Sequence, residues 1–263
     1  MKNKTLLLLI LCCTIFSCSI KKNNNPISAP EISDNIYQYS VFTALANKIY
    51  DGTLCVADVK EKGDIGLGTF NGLNGEMIVC DGVVYQWLAN GSVRTPADSE
   101  LVPFTVVTFF EADKTIELAN AEDYKHLKTF ISSQLPSKNM PYAFKVKADF
   151  ESLKCGSADK QEKPYTKTLS DALIDRPTFD LKNIKGTLVG FWYPEYIGKV
   201  NVAGFHLHFI SDDKTQAGHV MEFKASNLKI EIDFCSGFAI ELPENDAFKT
   251  EDFDLTQEYT NKK

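Results

Sequence analysis

The spacing of apolar positions changes several times along the chain. In YQYSVFTALANKIYDGTL (37–54), Val41, Leu45 and Ile49 recur every four residues and Asp51-Gly52 follows, which predicts a helix. GDIGLGTFNGLNGEMIVCDGVVYQWLANGSV (63–93) has seven glycines and no such period. Its runs EMIV and VVYQW flank CDG, which predicts a β-hairpin turning at Asp81-Gly82. VPFTVVTFF (102–110) reads as a further strand. NAEDYKHLKTFISSQLPSKN (120–139) predicts a second helix, with Asn120 as cap, Leu127, Ile131 and Leu135 on one face, and Pro136 as the stop. TKTLSDALIDRP offers only a short helix. MPYAFKVKADFESLKCG, IKGTLVGFWYPE, VNVAGFHLHFIS, GHVMEFKASNLKIEIDF and GFAIELP all have strand character, so the C-terminal half is predicted to be mostly antiparallel sheet.

The first residues follow other rules. MKNK is a short basic start, and TLLLLILCCTIF is an apolar run too short for a comfortable membrane span. IFSC resembles a bacterial lipobox, which makes residues 1–17 a lipoprotein signal peptide and Cys18 the lipidated first residue. An ordinary cleaved secretory signal is the other reading. Residues 18–35 are polar, rich in Asn and Pro, and predict a flexible tether before a folded part starting near Ile36. The expected location is an exported, membrane-anchored lipoprotein, periplasmic or on the outer surface. The lipid is then its one contact with the membrane.

Charge narrows the partners. Loss of Lys2 and Lys4 with the signal takes the formal net charge from −7 to −9. Arg94 and Arg176 are the only arginines, and no basic patch is visible, so a nucleic-acid surface is not expected. Cys55, Cys80, Cys155 and Cys235 lie beyond the export segment, far apart and without a Cys-x-x-Cys pair. A zinc site of that type is therefore not expected, and both two disulfides and four buried thiols stay open.

The chemistry concentrates in GFHLHFISDDKTQAGHV (204–220), which holds three of the four histidines. On a strand, His206 and His208 point one way and Phe205, Leu207 and Phe209 the other. SDDKTQAG is polar and ends in Gly, so the chain can reverse there and bring His219 to the same face. Three converging neutral imidazoles predict a transition-metal site, most often zinc, with iron or manganese also suited. Without a fourth protein ligand, part of the coordination sphere stays open for substrate. His126, beside Lys125 in the second predicted helix, reads as a surface residue.

These segments together resemble the α-acetolactate decarboxylase family. GLGTFNGLNGEMIVCDGVVYQ (66–86) is similar to its N-terminal signature, KQEKPY (160–165) with IKGTLVGFWYPEY (184–196) to its central region, and VNVAGFHLHFISDDKTQAGHV (200–220) to its metal-binding hairpin. The likeness covers about residues 36–255 in unbroken order, leaving 256–263 as a tail. It implies an α+β fold of mixed and antiparallel sheets with a few helices, in two tightly associated sub-domains, and allows a homodimer. It implies zinc held by His206, His208 and His219, and decarboxylation of 2-hydroxy-2-methyl-3-oxobutanoate, a small molecule, to acetoin. Substrate hydroxyl and ketone oxygens chelate the metal, which stabilises the enediolate left by CO₂. Glu76 takes the place of the family's proton donor, and Thr69 that of a pocket threonine.

The chain departs from the family at CGSADKQEKPY (155–165). Aligned on KQEKPY, Gly156 stands where the family has an active-site arginine. Lys154 and Lys160 are the nearest cations in sequence, and neither offers a planar fork. A carboxylate from the C-terminal tail falls at best on Glu258. The departure leaves two alternatives: a metal-dependent enzyme acting on another small hydroxy-keto or sugar-derived substrate, and a non-catalytic metal-binding lipoprotein. On the decarboxylase reading, an arginine returned to position 156 is expected to raise turnover.

Overall fold

The computed structural model describes residues 34–256. The export signal, Cys18, most of the tether, and Glu258 with the end of the tail lie outside the described residues. The N-terminal half forms β1 (Asn35–Tyr39), α1 (Phe42–Ala46), β2 (Leu54–Cys55), α2 (Val56–Lys60), β3 (Ile65–Thr69), β4 (Glu76–Cys80), β5 (Val83–Trp87), β6 (Val93–Arg94), β7 (Leu101–Val102) and β8 (Phe104–Thr108). β9 (Lys114–Ala121), α3 (Tyr124–Gln134) and the long strand β10 (Tyr142–Gly156) follow. The remainder is α4 (Leu169–Ala172), β11 (Thr178–Tyr193), β12 (Gly204–Ser211), β13 (Ala217–Phe234), β14 (Gly237–Glu241) and α5 (Asp246–Thr250).

Two large sheets hold the molecule together. Seven strands lie in the order β14-β1-β8-β3-β4-β5-β6. A five-stranded sheet runs β10-β11-β12-β13-β9, and β13 also pairs with β10, so β10 to β13 close on themselves. Among the described strands, only β1 and β14 pair in parallel. The α+β class with mostly antiparallel sheets is therefore as the sequence implied. The CDG hairpin forms as expected: Cys80 pairs with Val83, and Asp81 and Gly82 both take positive φ, the backbone that a tight two-residue turn needs.

Two helices differ from expectation. Residues 37–54 contain no long helix, because Ile36, Tyr37 and Tyr39 belong to β1, a strand flanked on both sides and buried. Ser40, at φ 67°, turns the chain out of β1, and α1 lasts five residues. The second helix starts later than predicted, since Asn120 is still in β9 and Asp123 caps α3 by accepting from His126 N–H at 2.6 Å. His126 is exposed, as expected. Cys55, Cys80, Cys155 and Cys235 are free thiols.

The closed sheet carries its own aromatic core. Phe150 meets Phe209 and Phe223 edge-on at 5.3 and 5.6 Å, beside Leu207 and Phe144. Removing such a ring costs about 3–5 kcal/mol, so this packing fixes which face of β12 is turned away from it. A bulge re-aims the neighbouring strand: Lys154 pairs with Glu222 but Cys155 with Val220, leaving Met221 as the extra residue.

Asp233, on β13, is 1% exposed and carries a load of a different kind. Its Oδ2 accepts from Glu111 N–H at 3.3 Å, while Oδ1 is buried without a partner among the described residues. Burial above all, with Asp113, Asp34 and Glu111 nearby, pushes its carboxyl from 3.8 up to about 7, against the pull of the Glu111 N–H. The folded chain thus holds this proton more tightly than the unfolded chain does. Its contribution is complete below the unfolded value and is lost as pH rises towards about 7. Asp233→Asn, which stays neutral, is expected to flatten that fall by up to about 1.4 kcal/mol per pH unit. Urea midpoints of both proteins between about pH 5 and pH 8 check this; parallel curves would rule it out.

Candidate active site

The FHLHF strand does what alternation requires. Leu207 and Phe209 join the aromatic core, and His206 and His208 leave on the opposite face of β12. In the β12–β13 hairpin, His208 pairs directly with His219. The three ring centroids stand 5.2, 5.0 and 5.3 Å apart, and one ligand nitrogen from each ring lies within 4.8 Å of the others. A metal–nitrogen bond of about 2.0–2.1 Å puts each centroid about 3.2 Å from the ion, and tetrahedral angles then separate the centroids by about 5.2 Å. The observed triangle matches that spacing.

His206 and His208 are in the right protonation state for ligands. Burial, with the charge of Arg176 adding to it, lowers His208 to about 4, opposed by its bond to Met77. Burial likewise holds His206 well below the usual histidine value, with His208 and Arg176 adding to it. His208 Nδ1 lies 2.8 Å from the Met77 carbonyl, which can only accept, so Nδ1 carries the hydrogen and Nε2 presents a lone pair. That Nε2 and Nδ1 of His206 are buried without hydrogen-bond partners. Leaving buried polar nitrogens unmatched costs about 1–3 kcal/mol each, and a metal ion would satisfy them. The donor set fits a divalent transition metal, and three ligands leave room for substrate.

Glu76 opens β4, opposite Thr69 on β3 and Trp87 on β5. Its Oε2 is 3.5 Å from His208 Nε2, beside the three ligand nitrogens. Burial raises its carboxyl to about 7, while the charge of Arg176 and the backbone of Ala158 pull the other way. The position is built by a turn. Thr69 donates its hydroxyl to the Gly75 carbonyl at 2.7 Å, and Gly75 sits at φ +76°, where a side chain would strike the Trp87 carbonyl. The same turn docks on the loop after β10, with Gly75 N–H bonded to Ala158 O and Gln161 N–H to Gly72 O. The GLGTFNGLNGE and KQEKPY segments are therefore one assembly in space. Thr69 faces the cavity, but its proton is committed to Gly75, leaving its oxygen to accept.

The cavity also contains a residue that sequence reasoning missed. Arg176 lines it together with Glu76, Thr69 and the three histidines, against a wall of Phe42, Leu45, Leu73, Phe104, Leu169 and Leu173. Lys154 and Lys160 do not. Lys154 faces another groove, and Lys160 pairs with Glu162 at 3.4 Å on the surface. Arg94 is engaged with Glu100. The site is therefore not short of a guanidinium, as position 156 alone had suggested. The missed signal was that Arg176 is one of two arginines in the chain. Its place follows from the pairing of Gly156 with Thr178, which a linear alignment does not reveal. The cavity holds about 60 Å³.

A three-histidine cluster that could hold a metal ion, on a β-hairpin with a carboxyl and a guanidinium in a largely apolar cavity, has the make-up of an enzyme site. Comparison with known proteins agrees. The profile of the α-acetolactate decarboxylase family matches residues 36–255. The α-acetolactate decarboxylase of Methanosarcina mazei is 42% identical over 236 residues, covering 86% of this chain and 81% of that protein. The Brevibacillus brevis α-acetolactate decarboxylase is 38% identical, covering 90% and 83%. The crystal structure of α-acetolactate decarboxylase from Bacillus subtilis strain 168 superposes with a TM-score of 0.81 at 32% identity, over 84% of this chain and 94% of that one. The chain belongs to the α-acetolactate decarboxylase family.

Stoichiometric zinc is expected to raise the melting temperature of the metal-free protein by about 5–10 °C. His208→Ala and His206→Ala should each abolish both the rise and the bound metal. Metal analysis after dialysis decides the matter: one zinc per chain retained in either variant removes that histidine from the ligand set.

Proposed function

We propose that this chain decarboxylates 2-acetolactate to acetoin with a zinc ion at His206, His208 and His219. The observation that carries the reading is the convergence of three imidazoles with the Glu76 carboxyl beside them in one cavity. Bound zinc would supply Lewis acidity to the substrate's hydroxyl and ketone oxygens and a counter-charge for the enediolate. The protein's own residues do the rest. The bond between the carboxylate carbon and its neighbour breaks, CO₂ leaves, and the electron pair enters the adjacent carbonyl as an enediolate. Glu76, in its carboxylic acid form, gives its proton to the carbon that lost CO₂. Met77 holds the His208 ring in a single tautomer through the bond to Nδ1. The largely apolar wall lowers the exposure of the reacting carbon to water, which favours Glu76 over bulk solvent as the proton source.

The case for another substrate, or for a binder without activity, rested on the want of an arginine at Gly156. Arg176 in the cavity wall removes that reason. The sequence reading of residues 1–17 as an export signal, of Cys18 as a lipid anchor and of 18–35 as a tether belongs to the same proposal. It makes the enzyme an exported one.

Purified, zinc-loaded protein is expected to convert racemic acetolactate to acetoin. Glu76→Gln should keep zinc and lose turnover by about 100-fold or more, the usual scale of a general acid. Acetoin formation and zinc content measured on the same samples test both. Undiminished turnover in Glu76→Gln would remove it as proton donor, and no acetoin from the wild type would end the decarboxylase reading.

A further inference from the structure

Position 156 and Arg176 have to be considered together. Gly156 ends β10, paired with Thr178 of β11 on one side and with His219 of β13 on the other. It is buried. A Cβ built on it would lie 2.9 Å from Nε and 3.2 Å from Cδ of Arg176, and 3.3 Å from Sδ of Met221. The stem of Arg176 therefore crosses the space that any side chain at 156 would need. Arg176 itself leaves the backbone just before β11. That stretch is pinned to the end of β10, because Ser157 N–H donates to the Pro177 carbonyl at 3.0 Å.

From there its guanidinium reaches the cavity of the three histidines, whose other lining residues are apolar except for Thr69 and Glu76. Among the described residues it is the one guanidinium or ammonium group in that wall. Its positive charge acts on Glu76, His206 and His208 alike, so it faces the same centre. Among the described residues, a small acid entering this cavity meets no other fixed cation from a side chain. A guanidinium can hold a carboxylate through two parallel N–H···O bonds, fixing its plane as well as its place.

We propose that Arg176 binds the substrate's carboxylate in this chain, and that Gly156 is small so that the Arg176 side chain can cross it. The assignment rests on the decarboxylase reading for the identity of the substrate, but not for the carboxylate. Arg176 grips a charge that leaves with CO₂, so its hold is stronger on the bound substrate than on the enediolate. Its loss is felt in KM more than in kcat. The order of the contacts also follows: the carboxylate points to β11, and the hydroxyl and ketone oxygens point to the histidines of β12 and β13. The expectation that an added arginine at 156 raises turnover is reversed. Such a residue displaces Arg176, the side chain already there.

The experiment compares two stable ligands on the zinc-loaded protein by calorimetry: 2-hydroxy-2-methylpropanoate, which has a carboxylate, and acetoin, which has two chelating oxygens and none. Arg176→Ala is expected to weaken the first by about 10- to 100-fold, the scale of a charge-assisted pair, and the second by less than about two-fold. Arg176→Lys should fall between, since it keeps the charge without the fork. Gly156→Ala should keep zinc and the melting temperature, because the stem of the flexible Arg176 side chain can shift aside, yet weaken the carboxylate ligand alone. In the Arg176→Ala background, Gly156→Arg should recover carboxylate binding. Equal weakening of both ligands, or of neither, in Arg176→Ala overturns the assignment. Unaltered carboxylate binding in Gly156→Ala overturns the role given to Gly156. If the wild type forms no acetoin, the decarboxylase reading fails while the two-ligand comparison still decides Arg176.

Discussion

The imidazole of His208 is the joint on which the site depends. Its ring belongs to the closed five-stranded sheet, and its Nδ1–H ends on the Met77 carbonyl of the seven-stranded sheet. One hydrogen bond, buried on both sides, sets the tautomer, aims Nε2 and links the strand that carries two ligands to the strand that begins with Glu76. A bond of this kind gains from the low dielectric around it, and its loss would leave a polar ring with no partner at either nitrogen. The distance from Nε2 to the Glu76 carboxyl follows from the same joint, since Met77 is the next residue along β4.

Charge in the cavity is arranged around that joint. His206 and His208 are kept neutral by burial and by the guanidinium nearby, so they offer lone pairs rather than positive charge. One carboxyl is pushed by burial towards its acid form, and a bound divalent ion would pull it back. One guanidinium faces them across an apolar wall. Each group would be costly to bury alone, and an anionic substrate would offset part of the positive charge that a metal and the guanidinium bring.

Sequence reasoning succeeded wherever a strand's two-residue period was at work. The faces of FHLHF, the turn at Asp81-Gly82, the return of the chain through SDDKTQAG and the place of Glu76 at the head of a strand all follow from alternation and turn chemistry. It failed where a neighbour overrode local preference. Residues 37–54 have helical spacing, but β14 and β8 recruit the first of them as a strand buried on both sides. Asn120 is as good a cap as Asp123, yet β13 holds it in the sheet.

Residue type and spacing within one or two adjacent segments were enough to bring the three histidines to one face and to indicate a sheet-rich fold, while Glu76 was pointed to by the family resemblance. Only the tertiary structure decided which cation reaches the centre. Positions 156 and 176 are neighbours solely because β10 and β11 lie antiparallel and the chain between them loops back. An empty place at one position and a long side chain at the other are then a single feature. A linear alignment, which compares like positions, registers the loss at Gly156 and has no means of crediting Arg176, since side chains fill space from whichever backbone stands closest.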